Sequence, residues 1–265
     1  MRELLEAVAA GEISPAEAEG RLNGYVTEEA GRFDAARPAR RGIPEAILAE
    51  GKSVSQVQDL ALTSLKTTGR ALLTRLSDEQ VSALETHLDR EAPDATVDRR
   101  GSTMLVTAET DDRSSVPATV SIVTAGTVDG PVADEAELVC VDGGLEVDRL
   151  EDVGVAALDR LLDQVERLRA ADVCIVVAGR EGALATVVAG LVNTPVIGVP
   201  VSSGYGHGGD GEAALAGMLQ SCTVLSVVNI DAGFVAGAQA TLIGRAVADV
   251  ADSSAKASNS EENLS

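Results

Sequence analysis

Apolar positions along this chain change their period several times, and each change marks a predicted element. Residues 1–10 and 53–66 repeat apolar side chains at three- and four-residue intervals, the spacing of a helix that buries one face. Ser77-Asp78-Glu79-Gln80 offers a capping hydroxyl with a glutamine three residues on, which predicts a helix to about residue 88. Ser14-Pro15-Ala16-Glu17 is a start signal of the same kind, with proline in its first turn. Residues 71–76 read as a strand. Beyond residue 100 short runs rich in Val, Ile and Leu predict strands at 104–108, 118–124, 173–177, 196–199 and 224–230, and 146–150 reads as one more. Runs this short and apolar suit strands buried on both faces. Helical stretches lie between and after them: 131–140, its first turn read as rich in acids, then 154–170, 184–191, 213–219 and 234–248. Within 154–170, Leu158, Leu161, Leu162, Val165 and Leu168 are predicted to share one buried face.

Alternating strands and helices predict a parallel sheet with helices packed on it, an α/β architecture. Residues 171–201, ADVCIVVAGREGALATVVAGLVNTPVIGVPV, show the unit most plainly: strand, glycine turn, helix, strand. Ligands in such folds bind beyond the carboxyl ends of the strands. Three ends are predicted to converge: Ala125-Gly126-Thr127, Ala178-Gly179-Arg180-Glu181 and the run from Pro200 to Tyr205. The site is expected there. Arg99-Arg100-Gly101 reads as a domain border, with a small α/β domain at residues 1–100 and a catalytic domain at 101–250. Residues 251–265 are polar and expected to be disordered.

Composition changes this picture in two ways. Aromatics make up 2% of the 265 residues and Trp is absent, so aliphatic side chains must build the core. The formal charge is −21, from 42 acidic and 21 basic residues, and Lys52, Lys66 and Lys256 are the only lysines. So acidic a surface repels nucleic acid and anionic membranes. Acidity, scarce lysine and small core residues together point to a halophile's cytosol, with an ordinary acidic protein as the alternative. Cys140, Cys174 and Cys222 form neither a CxxC pair nor a zinc pattern, and an odd number in a reducing cytosol implies free thiols. No secretion signal is read at residues 1–10 and no apolar run reaches membrane-span length, so a soluble cytoplasmic protein is expected.

Candidate chemistry follows. Arg32, Arg37, Arg40 and Arg41 cluster in a chain short of positive charge. They form either a solvated loop paired to nearby acids or a clamp for phosphate or carboxylate. Cys174 lies mid-strand and Cys140 at a helix end, positions of packing. Cys222 lies at an element boundary and reads either as a small buried hydrophobe or as an accessible thiol. His87 reads as a surface helix residue, and His207 either lines the glycine loop's pocket or is solvated.

The stretch AGREGALATVVAGLVNTPVIGVPV resembles the PurE superfamily, the aminoimidazole ribonucleotide carboxylases and mutases. Roughly residues 30–245 more closely resemble the LarB family, the pyridinium-3,5-biscarboxylic acid mononucleotide synthases. In the first half the match rests on Gly31-Arg32-Phe33-Asp34 with Arg37, on Arg41-Gly42-Ile43-Pro44-Glu45 and on Glu50-Gly51-Lys52. In the second half it rests on Thr124-Ala125-Gly126-Thr127, Glu181-Gly182-Ala183, Ser203-Gly204-Tyr205-Gly206, Ser221-Cys222 and Val228-Asn229-Ile230-Asp231. PurE enzymes resemble one another in a Ser-Ala-His-Arg segment after the third strand, where this chain has Asp148-Arg149-Leu150-Glu151-Asp152-Val153-Gly154 and no histidine. The chain also departs from LarB relatives at Ala232-Gly233, often Asn-Gly, at Ala238, often Tyr, and at Ser203, a lysine in some members.

The resemblance implies a three-layer, PurE-like parallel sheet of flavodoxin or Rossmann type, with a smaller α/β N-terminal domain. It implies carboxylation of nicotinic acid adenine dinucleotide at ring carbon 5 by carbon dioxide or bicarbonate, and hydrolysis of the phosphoanhydride to release AMP. Cys222 would be the nucleophile and Glu181 the base, on a turn where a raised pKa would suit that role. Substrate contacts would come from Asp34, Arg37, Arg41 and Lys52, and from Gly126, Thr127, Asp129, Asp152, Gly154, Gly179, Gly182, Ala183, Ser203, Gly204, Tyr205, Gly206, Asn229 and Asp231. No tightly bound cofactor is implied, and Mg2+ is a candidate aid to the anhydride step. A homo-octamer with sites shared between subunits is implied. A PurE-type mutase and a non-catalytic nucleotide-binding sensor are the competing readings.

The charge generates a prediction of its own. At about 1 M salt the screening length is about 3 Å, short enough to silence repulsion between neighbouring carboxylates. The melting temperature should therefore rise with potassium chloride into the molar range, and a flat or falling curve removes the halophile reading.

Overall fold

A computed structural model describes residues 2–10, 18, 24–28, 31–34, 36–109, 115–204 and 206–262. The chain divides into two compact units, Met1–Asp112 and Arg113–Ser265. The start signal at residues 14–17 lies outside the described residues.

In the first unit, β1 (Val26–Glu28) and β2 (Gly31–Phe33) pair as a small antiparallel ribbon. Four more strands, β3 (Ala46–Leu48), β4 (Arg70–Thr74), β5 (Thr96–Arg100) and β6 (Thr103–Thr107), form a sheet in the order β3-β4-β6-β5. Helices Val54–Thr68 and Asp78–Glu91 pack on it, burying Val57, Leu60, Leu65, Leu84 and Leu88 with Leu73, Met104 and Val106. Both helices start with the reciprocal cap predicted for the second: Ser53 with Gln56, and Ser77 with Gln80. Gln80 does a second job. Its Nε2 donates to the carbonyls of Ala49 and Lys52 at 3.0 and 2.8 Å, which ties the loop after β3 to the helix.

The expected border at Arg99-Arg100-Gly101 is incorrect. Gly101, at φ 53°, turns the chain between β5 and β6, and β6 pairs antiparallel with both β5 and β4. A glycine in a hairpin and a glycine in a linker look alike in sequence, and only the pairing of β6 places that strand in the first unit.

The second unit carries β7 (Thr119–Thr124), β8 (Glu146–Leu150), β9 (Val173–Ala178), β10 (Val196–Pro200) and β11 (Ser226–Val227). All pair in parallel, in the order β11-β10-β9-β7-β8. This is the predicted flavodoxin-type winding, in which the first strand lies inside the sheet. All six residues of β9 are buried because both faces are covered. Val173, Ile175 and Val177 point into one core with Ala133, Ala136, Cys140, Ala236 and Ala240 of helices Gly130–Asp142 and Gly233–Glu262. Cys174, Val176 and Ala178 point into the other, with Leu161, Leu168, Leu184, Val188 and Met218. Small residues let these layers close: a Cβ on Gly237 would lie 2.5 Å from the Ala136 carbonyl oxygen. No helix among the described residues is long and apolar enough to cross a membrane.

Four expectations fail locally in this unit. The first turn of the helix Gly130–Asp142 holds no acid: Pro131 opens it, and Glu135 and Glu137 are buried further along. Residues 154–170 are not one helix but a 3-10 turn, Val155–Ala157, and two short helices, Leu158–Leu162 and Val165–Ala170. The break rotates the leucines, so that Leu161 and Leu168 are fully buried while Leu158 and Leu162 are 43% and 45% exposed. The strand read at 224–230 shrinks to two residues, and Val224 is 92% exposed. An edge strand with one neighbour has fewer partners to hold it straight. Finally, the polar stretch after residue 250 continues the last helix to Glu262, because an Ala- and Glu-bearing segment joined to a packed helix only has to propagate it, not nucleate it.

Leu161→Ala should destabilise the protein by about 2–5 kcal/mol through the cavity it leaves. Leu162→Ala should stay within about 0.5 kcal/mol. Chemical denaturation of the two variants checks this, and equal losses would contradict the break.

Candidate functional site

The site follows from the order in which the strands are laid down. From β7 the chain goes to β8 on one side, then crosses to β9, β10 and β11 on the other. The loops leaving β7 and β9 therefore diverge, and a crevice opens between their carboxyl ends. A cavity of about 490 Å3 occupies it, lined by the predicted ends Ala125-Gly126, Ala178-Gly179-Arg180-Glu181 and Ser203-Gly204. Asp129, Gly154 and Ala183 line it too, as expected. A second chamber of about 430 Å3 shares Arg180, Glu181 and Gly204 with the first and is lined further by Gly206 and His207. His207 borders this chamber and is itself exposed.

Asp129 is the buried carboxylate of the site, 2% exposed. Burial raises its pKa, and hydrogen bonds from the backbone at Gly126 and Ala125 work against that rise. The Gly126 amide donates to its Oδ2 at 2.8 Å, which closes the turn that begins the next helix. Glu181, by contrast, is exposed and faces both chambers. Burial thus lifts the Asp129 carboxyl. Gly182, at φ 71°, does not line the cavity; it turns the chain into the helix Ala183–Leu191. Helix Glu212–Leu219 presses on this turn so closely that a Cβ on Gly217 would lie 2.0 Å from the Glu181 carbonyl oxygen.

Several expected contacts take other roles. Thr127 is exposed and outside the lining. Asp152, at φ 56°, pairs with Arg160 at 2.6 Å. Asn229 caps locally, its Oδ1 accepting from the Ile230 amide at 2.9 Å. Asp231 accepts from the Ser202 amide at 2.9 Å, and its own amide donates to the Pro200 carbonyl, so it braces the loop that carries Ser203 and Gly204. Tyr205 lies outside the described residues. Asp34, Arg37, Arg41 and Lys52 belong to the first unit. There Asp34 pairs with Arg40, and Lys52 Nζ donates to the Leu48 carbonyl at 2.7 Å. Sequence reasoning missed the aliphatic wall of Val128, Val155, Ala156 and Leu184. Val155 and Ala156 were read as part of a helix, and only the break after Gly154 turns them to the cavity.

The thiols separate cleanly. Cys140 is fully buried, and burial pushes its pKa up to about 12. Burial raises Cys174 as well. Cys222 is exposed, so its accessible-thiol reading holds. It does not line its own chain's cavity. It lies between the helix Glu212–Leu219 and β11. Ser221 beside it is held by Thr186, whose hydroxyl lies 3.0 Å away. Among the described residues no three His, Cys, Asp or Glu side chains gather as a metal site.

Residues 119–263, which carry this doubly wound sheet and its crevice, match the family described as AIR carboxylase. Residues 25–108 match the LarB/PurE-like N-terminal domain. The chain belongs to the LarB family of the PurE-like superfamily and is a carboxylase-type enzyme. It is 37% identical over 252 residues to an uncharacterized protein of Methanocaldococcus jannaschii, covering 92% of this chain and 97% of that one.

Two glycine substitutions should have opposite signs. Gly217→Ala should cost about 1–3 kcal/mol by overpacking against the Glu181 turn. Gly190→Ala, in a helix with open space around the added methyl, should stabilise by about 0.5–1 kcal/mol. Thermal melts of both variants decide it, and a stable Gly217→Ala protein would refute the close approach.

Proposed function

We propose that this enzyme carboxylates the pyridinium ring of nicotinic acid adenine dinucleotide at carbon 5 and hydrolyses the phosphoanhydride. The products are pyridinium-3,5-biscarboxylic acid mononucleotide and AMP, the first step of nickel-pincer nucleotide synthesis. One observation carries the reading: of three cysteines, two are buried with raised pKa values, and the one in the Ser221-Cys222 motif is exposed.

The chemistry explains why a thiolate is needed. A pyridinium ring is electron-poor, and its carbon 5 does not attack carbon dioxide. Addition of the Cys222 thiolate to the adjacent ring carbon turns that part of the ring into an enamine and makes carbon 5 nucleophilic. Carbon 5 then bonds to carbon dioxide, its proton passes to a base, and the returning electron pair expels the thiolate and restores the aromatic ring. Glu181, exposed at the cavity, is the base in this scheme. Mg2+ held at the dinucleotide phosphates would assist the anhydride step. An aminoimidazole, already enamine-like, needs no thiolate.

Cys222 lies outside its own chain's cavity, between Leu219 at 65% and Val224 at 92% exposure. Large aliphatics left this open suit an interface. In the proposed octamer the thiol of one copy serves the cavity of another, and the working form is a cytoplasmic assembly.

Mass spectrometry of products from the dinucleotide and bicarbonate tests the reaction. Cys222→Ser should abolish carboxylation, since a serine hydroxyl is almost never ionised near neutral pH. Cys140→Ser and Cys174→Ser should act on stability alone, by about 1–3 kcal/mol. Turnover of aminoimidazole ribonucleotide with none of the dinucleotide would move the chain to the PurE-type mutase reading, which the AIR carboxylase match keeps in view. Binding without turnover of either would leave a nucleotide sensor.

A further inference from the structure

We propose that Glu135 is a positioning residue for the cavity: from the helix Gly130–Asp142 it fixes the start of the last helix, and through Asp231 it fixes the loop that presents Ser203 and Gly204. The inference rests on the reading of this cavity as the substrate site. It names a residue outside the lining on which one wall depends.

Glu135 is 6% exposed, in a helix whose neighbouring acids Asp134 and Glu137 pair with Arg149. Its Oε2 accepts a hydrogen bond from the Phe234 amide at 2.9 Å. Phe234 is the second residue of the last helix, where amides have no acceptor within the helix. A carboxylate there satisfies one of them and meets the positive end of the helix dipole. Ordinarily the residue just before a helix supplies such an acceptor. Here that residue is Ala232, which has no side-chain oxygen, and the acceptor comes from 99 residues back in the chain. The two helices touch at this point. A Cβ on Gly233 would lie 2.2 Å from the Val132 carbonyl oxygen and 3.0 Å from Glu135 Oε2.

Asp231 stands just ahead of this start. Its φ is 55°, a left-handed conformation that persists only where the surroundings impose it. Its amide donates to the Pro200 carbonyl and its Oδ1 accepts from the Ser202 amide, both at 2.9 Å. The chain between Asp231 and Phe234 has no slack: the Ala232 amide bonds to the Asn229 carbonyl, and the Ala236 amide to the Ala232 carbonyl. Where the helix starts therefore sets where the Asp231 carboxylate lies. Asp231 in turn sets Ser202, next to the two residues that line the cavity. The opposite wall is rooted in the same helix as Glu135. Gly126 and Asp129 line the cavity just before Gly130, and the rise of a helix puts Glu135 about 9 Å beyond Asp129. One carboxylate thus fixes the loop after β10 against the loop after β7.

Hydrogen exchange of the full chain, followed at the Ser202 amide by nuclear magnetic resonance, tests the link. Glu135→Ala removes the acceptor, and the Ser202 amide should exchange about tenfold faster, the size of one lost hydrogen bond. Glu135→Gln keeps an oxygen for the Phe234 amide and should stay within about threefold of the wild type, since it loses only the charge. Leu168→Ala opens a cavity in the opposite core, away from this path, and should leave Ser202 within about threefold as well, because the loop opens locally. With nicotinic acid adenine dinucleotide as substrate, Glu135→Ala should raise KM about tenfold and leave kcat within about twofold, because a loosened wall weakens ground state and transition state alike. Unchanged Ser202 exchange in Glu135→Ala, equal acceleration in Leu168→Ala, or a glutamine variant as fast as the alanine one would each overturn the link. A fall in kcat at unchanged KM would overturn it too. A wild type that turns over no dinucleotide sinks the reaction proposed above, and the exchange result then decides the role of Glu135 by itself.

Discussion

Everything at this site depends on one constraint, the reversal of winding direction between β7 and β9. Parallel strands must be joined by crossovers, and a crossover helix covers the strand ends on its own side. Where two crossovers depart in opposite directions, neither covers the gap. The crevice between Ala125-Gly126 and Ala178-Gly179 is that gap. Each functional loop is the first few residues after a strand, so the rigidity of the buried sheet passes directly to the site.

Close backbone approach then shapes the gap. Gly154 admits no Cβ because one would lie 2.7 Å from the Ala125 carbonyl oxygen, and Gly217 lets a helix sit against the Glu181 turn. A chain with almost no aromatic residues cannot fill space with rings. It fills space by bringing backbones together and lining what remains with valine, alanine and leucine. The helix that presses on the Glu181 turn also leads to Cys222, which lies outside the cavity of its own chain.

Electrostatics is local in spite of the large negative charge. Arg149 gathers Asp134, Glu137 and Glu151, Arg160 takes Asp152, and Asp129 is held by backbone amides. These pairings leave Glu181 as the exposed carboxylate on the wall between the two chambers. That position is what supports it as the base in the proposed reaction.

Periodicity alone determined the parallel sheet, the β9–helix–β10 unit and the convergence of three loops, because strands buried on both faces need unbroken apolar runs and such strands place ligands at their carboxyl ends. Short motifs named the family and marked Glu181 and Cys222. Tertiary structure decided what local pattern cannot carry. Gly101 closes a hairpin because β6 finds β4 as a partner far back in the chain. Leu158 and Leu162 reach solvent because a break at residues 163–164 rotates two short helices, though the leucine spacing fits one long one. Asp231 braces a loop and does not touch the cavity, since its partner Ser202 is 29 residues away in sequence. Cys222 is accessible yet absent from its own chain's cavity, and Ser221 beside it is held by Thr186 on the helix that follows the Glu181 turn. Each of these depends on which distant residue comes to lie opposite, and that is set by packing, not by the residue's neighbours in the chain.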